Sequence, residues 1–255
     1  MAVFWCAGMY ASGSTWAYNV MRAIAAAAWP GQREIGRFVN NLADLSGLGA
    51  AAESHLVKSH DLPRDAAERL LAERPVIVAT IRDPRDAVTS LMIYQRHSFA
   101  QANEIVTRSA RFVGDIATQL GTHLLRYEDR FTEDPSTVDR IAAAMGADLD
   151  STTLASIHAR YRREEVERFI AELPQLPEAH HDPRSGDIFD PRTQWHKHHA
   201  GRTGEIGRWR LILMPGQPAA VEAGLTDWFD SFGYVRAPLH MPGYGLSIGT
   251  FSVKL

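Results

Sequence analysis

Val3-Phe4-Trp5-Cys6-Ala7-Gly8-Met9-Tyr10-Ala11-Ser12-Gly13-Ser14-Thr15-Trp16 is the stretch that decides the fold of this 255-residue chain. It begins as an apolar strand, passes through a turn of small residues, and opens a helix whose first residues carry hydroxyls. Such a turn makes an anion site: the first N–H groups of a helix have no intrahelical acceptor, and the positive end of its dipole faces the loop. Phosphate is the commonest occupant. A capped helix after a strand would need only Ser12 or Ser14 and no pair of glycines. The nucleotide-triphosphatase loop G-x-x-x-x-G-K-[ST] fits in part, since Gly8 and Gly13 have its spacing, but Ser14 stands where its lysine belongs. The stretch reads as a phosphate cradle without the kinase lysine.

Downstream, strands alternate with helices. Ser14 to about Ala28 reads as a helix ended by Trp29-Pro30-Gly31, followed by a polar, glycine-containing stretch and a weak helical signal over Leu42 to Ala52. His55-Leu56-Val57-Lys58 is a short strand, and Pro63 sits in the first turn of a helix that reaches Glu73. Pro75-Val76-Ile77-Val78-Ala79-Thr80-Ile81 is a continuous β-branched run, as expected of a parallel strand buried on both faces. A helix from Pro84, a second through Ile105 to Leu120, and a strand over Thr122 to Arg126 follow. Asp134-Pro135 opens a helix closed by Gly146, and Ser151 opens a further long one. This order implies a three-layer α/β/α fold with a central parallel sheet and right-handed crossovers. Ligands of such sheets bind at the carboxyl ends of the strands, which here precede Ser12, Lys58, His60, Arg82 and Tyr127.

The composition fits a single soluble domain over 1–255, with 45% hydrophobic and 22% charged residues. A net charge of −3 argues against general nucleic-acid binding but allows a local basic pocket. The one cysteine, Cys6, lies in the first strand and has no internal partner, which points to a reducing cytoplasm and a buried structural thiol. The first strand leaves no room for a signal peptide, and no apolar run reaches the length of a membrane span. From Pro174 to about Ala200, four prolines and five histidines make an irregular stretch, expected to loop over the cleft. The tail from Pro238 to Leu255 is not diagnostic of any oligomeric state.

Three further groups of residues carry chemistry. In Val57-Lys58-Ser59-His60, a lysine and a histidine two apart at a strand end point to one side, where one holds an anion and the other takes a proton near neutral pH. A solvated strand end with a hydrogen-bonded histidine is the plainer alternative. In Ile81-Arg82-Asp83-Pro84-Arg85-Asp86-Ala87-Val88-Thr89-Ser90, Arg82 leaves a buried strand and Ser90 lies two helical turns on, facing back, so that both can bind one phosphate. Asp83 or Asp86 can equally cap the helix and pair with Arg85. Gly201-Arg202-Thr203-Gly204-Glu205-Ile206-Gly207-Arg208-Trp209 is a glycine–arginine loop rich in backbone donors, suited to a further phosphate contact.

In this order the groups resemble the PAPS-dependent sulfotransferase family. Tyr10-Ala11-Ser12-Gly13-Ser14-Thr15-Trp16 is similar to its P-K-S-G-T-T-W loop for the 5′-phosphosulfate, and Val57 to Pro63 to its K-T-H-L-P segment. Arg82 and Ser90 match the arginine and serine of R-[DN]-P-[KR]-D-x-x-x-S, Tyr127-Glu128-Asp129 its Y-E-D, and Arg202 to Trp209 its R-K-G-x-x-G-[DE]-W. The resemblance runs from Val3 to about Val235. It implies in-line transfer of a sulfuryl group from PAPS to a hydroxyl or amine of a small-molecule acceptor, with release of PAP and no metal required. By the same resemblance His60 is the base, while Lys58, Ser12, Gly13, Ser14 and Thr15 hold the phosphosulfate. Arg82, Ser90, Arg202 and Gly204 take the 3′-phosphate, and Trp16 and Tyr127 lie near the adenine.

The chain departs from the pattern at Ala11, where the family has lysine or arginine, at Thr203, in place of a second phosphate-binding lysine, and at Arg208, in place of an acid. Losing a preorganised cation costs on the order of 10²-fold in rate. Either Lys58 covers that charge, another arginine reaches in, or catalysis is impaired. A noncatalytic PAP- or nucleotide-binding protein of the same fold and, less favoured, a P-loop small-molecule kinase are the rival functions. His196-Lys197-His198-His199 lacks the spaced acidic or cysteine ligands of a zinc site and is expected near the acceptor entrance or in solvent, with Trp195 and Phe189 as candidate lining of the acceptor pocket.

Overall fold

The structure, a computed structural model, describes residues 2–48, 53–181, 186–199 and 204–237. β1 (Ala2–Gly8) lies at the centre of a five-stranded sheet. It is buried on both faces: Phe4 and Cys6 pack on one side with helix α1 (Ser14–Ala28), and Val3, Trp5 and Ala7 on the other. That double burial is why the strand reads as an unbroken apolar run. β2 (Arg33–Phe38), β3 (Glu53–Ser59), α2 (Arg64–Ala72) and β4 (Val76–Ile81) follow, then α3 (Pro84–Tyr94), α4 (Phe99–Ala117) and β5 (His123–Arg126). The strand order is β2-β3-β1-β4-β5, with every neighbouring pair parallel. After β3 the chain crosses over β1 to β4, so the carboxyl ends of these three strands meet at a topological switch point.

α5 (Ser136–Met145), α6 (Ser151–Arg160) and α7 (Arg163–Glu172) cover the α1 face. After the small antiparallel pair β6 (His180–His181) and β7 (Ile188–Phe189), α8 (Trp209–Ile212), α9 (Gln217–Ala223) and α10 (Thr226–Ser231) lie beside α3 and α4. The three layers are those expected. Among the described residues no helix is long and apolar enough to cross a membrane. Cys6 is fully buried, and burial pushes its thiol up to about 12, as suits an inert structural group.

Four local expectations need correction. The polar stretch after α1 contains strand β2, whose Arg-Glu-Ile-Gly-Arg-Phe sequence hides its pairing because it is an edge strand with one partner. The helical signal from Leu42 is a single 3₁₀ turn, Leu42–Leu45, closed by a capping box of Asn41 and Asp44, and residues 49–52 lie outside the described ones. The long helix after Ser151 is two helices, α6 and α7, broken at Tyr161 and Arg162. The stretch 174–200 is not wholly irregular, because β6 and β7 pair within it.

Candidate functional site

The loop between β1 and α1 takes its shape from two glycines. A Cβ on Gly8 would lie 2.2 Å from the Ser14 Cβ, so only glycine lets the strand end touch the helix start. Gly13 has φ 81°, and a Cβ there would meet Phe131 at 2.9 Å. Gly13→Ala is expected to destabilise the protein by about 2 kcal/mol in a urea titration, from left-handed strain and the clash together. A midpoint equal to that of the parent would remove Gly13 from this role. Ser12 does not face the cleft, contrary to its expected place on the phosphosulfate. Its hydroxyl donates to the Met9 carbonyl at 2.7 Å and shares a hydrogen bond with Thr80 Oγ1 at 2.6 Å, so it braces the loop against β4. The first amides of α1, at Ser14 and Thr15, have no acceptor within the helix, as in any anion-binding turn.

Over this turn stands Lys58, from β3. It is 2% exposed, its Nζ donates to Thr15 Oγ1 at 2.9 Å, and it faces the Phe38 ring. No carboxylate lies within ion-pair distance of it among the described residues. Burial alone therefore pulls its ammonium down to about 8. One residue beyond β3, His60 is held on three sides. Its Nδ1 lies 2.6 Å from the Gly8 carbonyl, Tyr10 stacks on its ring at 4.2 Å, and Phe38 meets it edge-on. Because Gly8 can only accept, Nδ1 carries the proton and Nε2 keeps its lone pair. Burial first, then the Lys58 charge, lower its pKa to about 3. The imidazole is neutral at every physiological pH.

From β4, Arg82 crosses the cleft floor. Its Nη1 donates to the Ala11 carbonyl at 3.1 Å and its Nη2 to the Glu205 carbonyl at 3.0 Å, while its guanidinium lies on the Tyr127 ring at 4.3 Å. Its Nε is buried with no hydrogen-bond partner, and among the described residues no carboxylate pairs with it. An orphaned buried donor calls for a partner, and an anion in the cleft would supply one. Ser90 is half-buried on the same wall, with its hydroxyl unpartnered among the described residues.

Asp83 takes the plainer of its two expected roles, and Asp86 takes a bracing role that was not among those expected. Asp83 caps the helix at the Arg85 amide and pairs with the Arg85 guanidinium. Arg85 in turn binds Glu222, tying α3 to α9. Asp86 accepts from the amides of Gly207 (2.6 Å) and Trp209 (2.9 Å), which clamps the glycine loop beside Arg82. Gly204 sits so close to Tyr127 that a Cβ would lie 2.6 Å from its hydroxyl. Gly201, Arg202 and Thr203 lie outside the described residues. Trp16 is 4% exposed, with its Nε1 donating to the Tyr161 carbonyl. It is mostly core and presents only an edge to the cleft.

The groups that face the cleft, Lys58, His60, Arg82 and Ser90 among them, line one cavity of roughly 1820 Å³, whose walls also carry Arg96, Arg130, Arg162 and Lys197. A single small ligand fills about 300–1,000 Å³, so there is room for a nucleotide and a second molecule. A chain of net charge −3 thus gathers several cations into one cleft. Phe189, Trp195, His196, His198 and His199 line the same cavity, the three histidines close enough to Lys58 for its charge to bear on them. Phe38 and Asp187 are lining residues that no motif marks: each lies in a segment whose partners are set only by the fold.

No protein-family model and no curated protein matches this sequence. Its structure is similar to those of sulfotransferases. A mouse sulfotransferase complexed with PAP matches with a TM-score of 0.59 at 14% identity, over 89% of this chain and 84% of the other. Retinol dehydratase in complex with androsterone and the inactive cofactor PAP matches at 0.59 and 17% identity, over 94% and 82%. The same enzyme with retinol and PAP matches at 0.58 and 19% identity, over 89% and 81%. At these identities the likeness establishes the fold: this chain has the α/β architecture of the PAP-binding sulfotransferases.

Proposed function

We propose that this protein transfers a sulfuryl group from PAPS to a hydroxyl or amine of a small-molecule acceptor and releases PAP. The observation that carries the proposal is the pair of buried cations, Lys58 and Arg82, which have no carboxylate in contact among the described residues, on either side of an anion-binding turn beside a histidine with a fixed tautomer. Buried positive charges with no carboxylate in contact are expensive, and an anionic ligand would offset that cost.

The amides of Ser14 and Thr15, with Lys58, hold the phosphosulfate. Arg82, through its unpaired Nε, takes the 3′-phosphate together with Ser90 and the loop of Arg202 and Gly204. Tyr127 and the edge of Trp16 border the adenine. His60 Nε2 takes the acceptor proton as the acceptor oxygen bonds to sulfur and the bond from sulfur to the bridging phosphate oxygen breaks, leaving PAP with that electron pair. Charge spreads over the equatorial oxygens in such a transfer, so positioning and electrostatics carry the catalysis. The neighbours that hold androsterone or retinol favour an acceptor of similar size, for which the cavity has room.

A second function, nucleotide binding without efficient transfer, is favoured by one feature. Ala11 lines the cavity where the family places a cation. It already adopts φ 58°, and lysine adds no backbone strain that alanine does not bear. Ala11→Lys is expected to raise turnover by roughly 10-fold or more. Unchanged turnover would mean that Lys58 already supplies the leaving-group charge. The deciding experiment is incubation of the protein with PAPS and a panel of alcohols, phenols and amines, with PAP and ADP affinities measured by calorimetry. A sulfated product and tighter binding of PAP than of ADP are expected. PAP bound tightly with no product from any acceptor would favour the binding protein, and a preference for ADP the kinase.

A further inference from the structure

Beyond the donor-site residues, the same cleft holds a side-chain cluster that sulfuryl transfer does not require. Asp187, His196 and His198 place three ligand atoms within 4.8 Å of one another. Both imidazoles turn Nδ1 toward the same carboxylate oxygen, Asp187 Oδ2, at 2.6 Å from His196 and 3.3 Å from His198. Donor atoms on a tetrahedral zinc ion lie about 3.3 Å apart, given bonds of about 2.0–2.1 Å. The cluster already approaches that geometry. The acidic ligand that the histidine run lacks in sequence is supplied from nine residues upstream.

The fold builds this cluster deliberately. Phe189 and His196 form an isolated antiparallel bridge, and the chain then turns through a 3₁₀ turn, Lys197–His199, that carries His198. Asp190 closes the intervening turn: its amide donates to the Trp195 carbonyl, and its carboxylate accepts from the Arg192 amide and the Thr193 hydroxyl. Helix α1 then anchors the turn, with Asn19 donating to the Thr193 carbonyl at 2.7 Å and Arg22 to the Arg192 carbonyl at 2.9 Å. The Phe189 ring stacks on His196 at 4.8 Å and fixes its plane. The other Asp187 oxygen accepts from the Ile188 amide. Ligands oriented in this way by their surroundings are the usual requirement of a metal site.

We propose that Asp187, His196 and His198 bind a divalent cation of the zinc class, with an open coordination position facing the cleft they line. Two imidazoles and one carboxylate suit zinc over magnesium or calcium, which prefer all-oxygen sites. Three protein ligands leave a fourth position for water or for an oxygen of the acceptor. Only this last role rests on the proposed transfer reaction. The acceptor class it favours is one with an oxygen donor beside the hydroxyl to be sulfated.

Zinc titration tests the site without an activity assay. The full chain, free of any histidine tag and stripped with a chelator, is titrated with zinc against a chromophoric competitor. One equivalent is expected to bind, and millimolar magnesium should not displace it. Asp187→Asn and His198→Ala are each expected to weaken binding by roughly 100-fold. His180→Ala, on the neighbouring strand β6, should leave it unchanged. Cobalt in place of zinc should give visible ligand-field bands that vanish in Asp187→Asn. PAP affinity, measured on the same samples, reports folding of each variant and reads the donor site separately. Absence of stoichiometric zinc binding, or binding unaltered in a folded Asp187→Asn protein, overturns the metal site whatever becomes of the transferase proposal.

Discussion

His60→Ala is expected to lower sulfuryl transfer by roughly 10²- to 10⁴-fold, the usual contribution of a positioned general base. PAP affinity should stay within a few-fold of the parent, since His60 binds the Gly8 carbonyl and not the anion site. A pH profile separates a base from a merely structural ring. The folded-state pKa lies near 3, so His60 is neutral and able to accept a proton well below pH 6.5. At limiting PAPS, where kcat/KM reports the free protein, the rate should therefore not fall between pH 8 and pH 6 on account of His60, in contrast to an exposed histidine. The opposite limb belongs to Lys58. As pH rises through about 8 the ligand-free protein loses that cation, and donor affinity declines. Undiminished transfer in His60→Ala would remove it from the chemistry.

Lys58→Met should have two opposite consequences. The folded pKa of Lys58 is about 8 against 10.5 in the unfolded chain, so the unfolded state binds more protons between those values and stability rises with pH across that window. Below it, the folded protein carries a desolvation penalty of about 3 kcal/mol, at roughly 1.36 kcal/mol per pKa unit. Methionine fills a similar volume with no charge to bury. The ligand-free variant is thus expected to melt about 6–12 °C higher, given roughly 2–4 °C per kcal/mol for a chain of this size. At the same time PAP affinity should drop by roughly 10²-fold and its thermal protection should fade. Calorimetric melting with and without PAP reads both. A lower melting temperature would show that Lys58 is satisfied in the ligand-free fold, and unchanged PAP affinity would place the anion elsewhere.

Several parts of the site were legible because they are local. Gly8, Gly13 and the hydroxyls after them mark the turn, and Val76 to Ile81 cannot be anything but a buried strand. Arg82 and His60 follow strand ends, so the parallel-sheet rule places them together before any coordinates exist. Other parts were not legible for a definite reason. Ser12 looks like a ligand contact in sequence, but its hydroxyl is spent on Met9 and Thr80, a partner 68 residues away. Strand β2 has a polar sequence because an edge strand needs no apolar second side. Trp16 suggests a stacking platform, yet most of its area is used in packing α1 against Phe131 and the α6–α7 turn.

The sequence by itself determined the alternation of strands and helices, the anion-binding turn, and the order of the cationic and histidine-bearing strand ends. Each follows from short-range physics: periodicity, glycine at a left-handed position, and free amides at a helix start. Only the tertiary structure decided which polar groups remain unpaired. Among the described residues it left the Nε of Arg82 without a partner and Lys58 without a contacting carboxylate, while consuming Ser12, Asp83 and Asp86 in bracing. It also brought Asp187 beside His196 and His198. Hydrogen-bond satisfaction and charge compensation depend on contacts between distant segments, and spacing along the chain does not encode them.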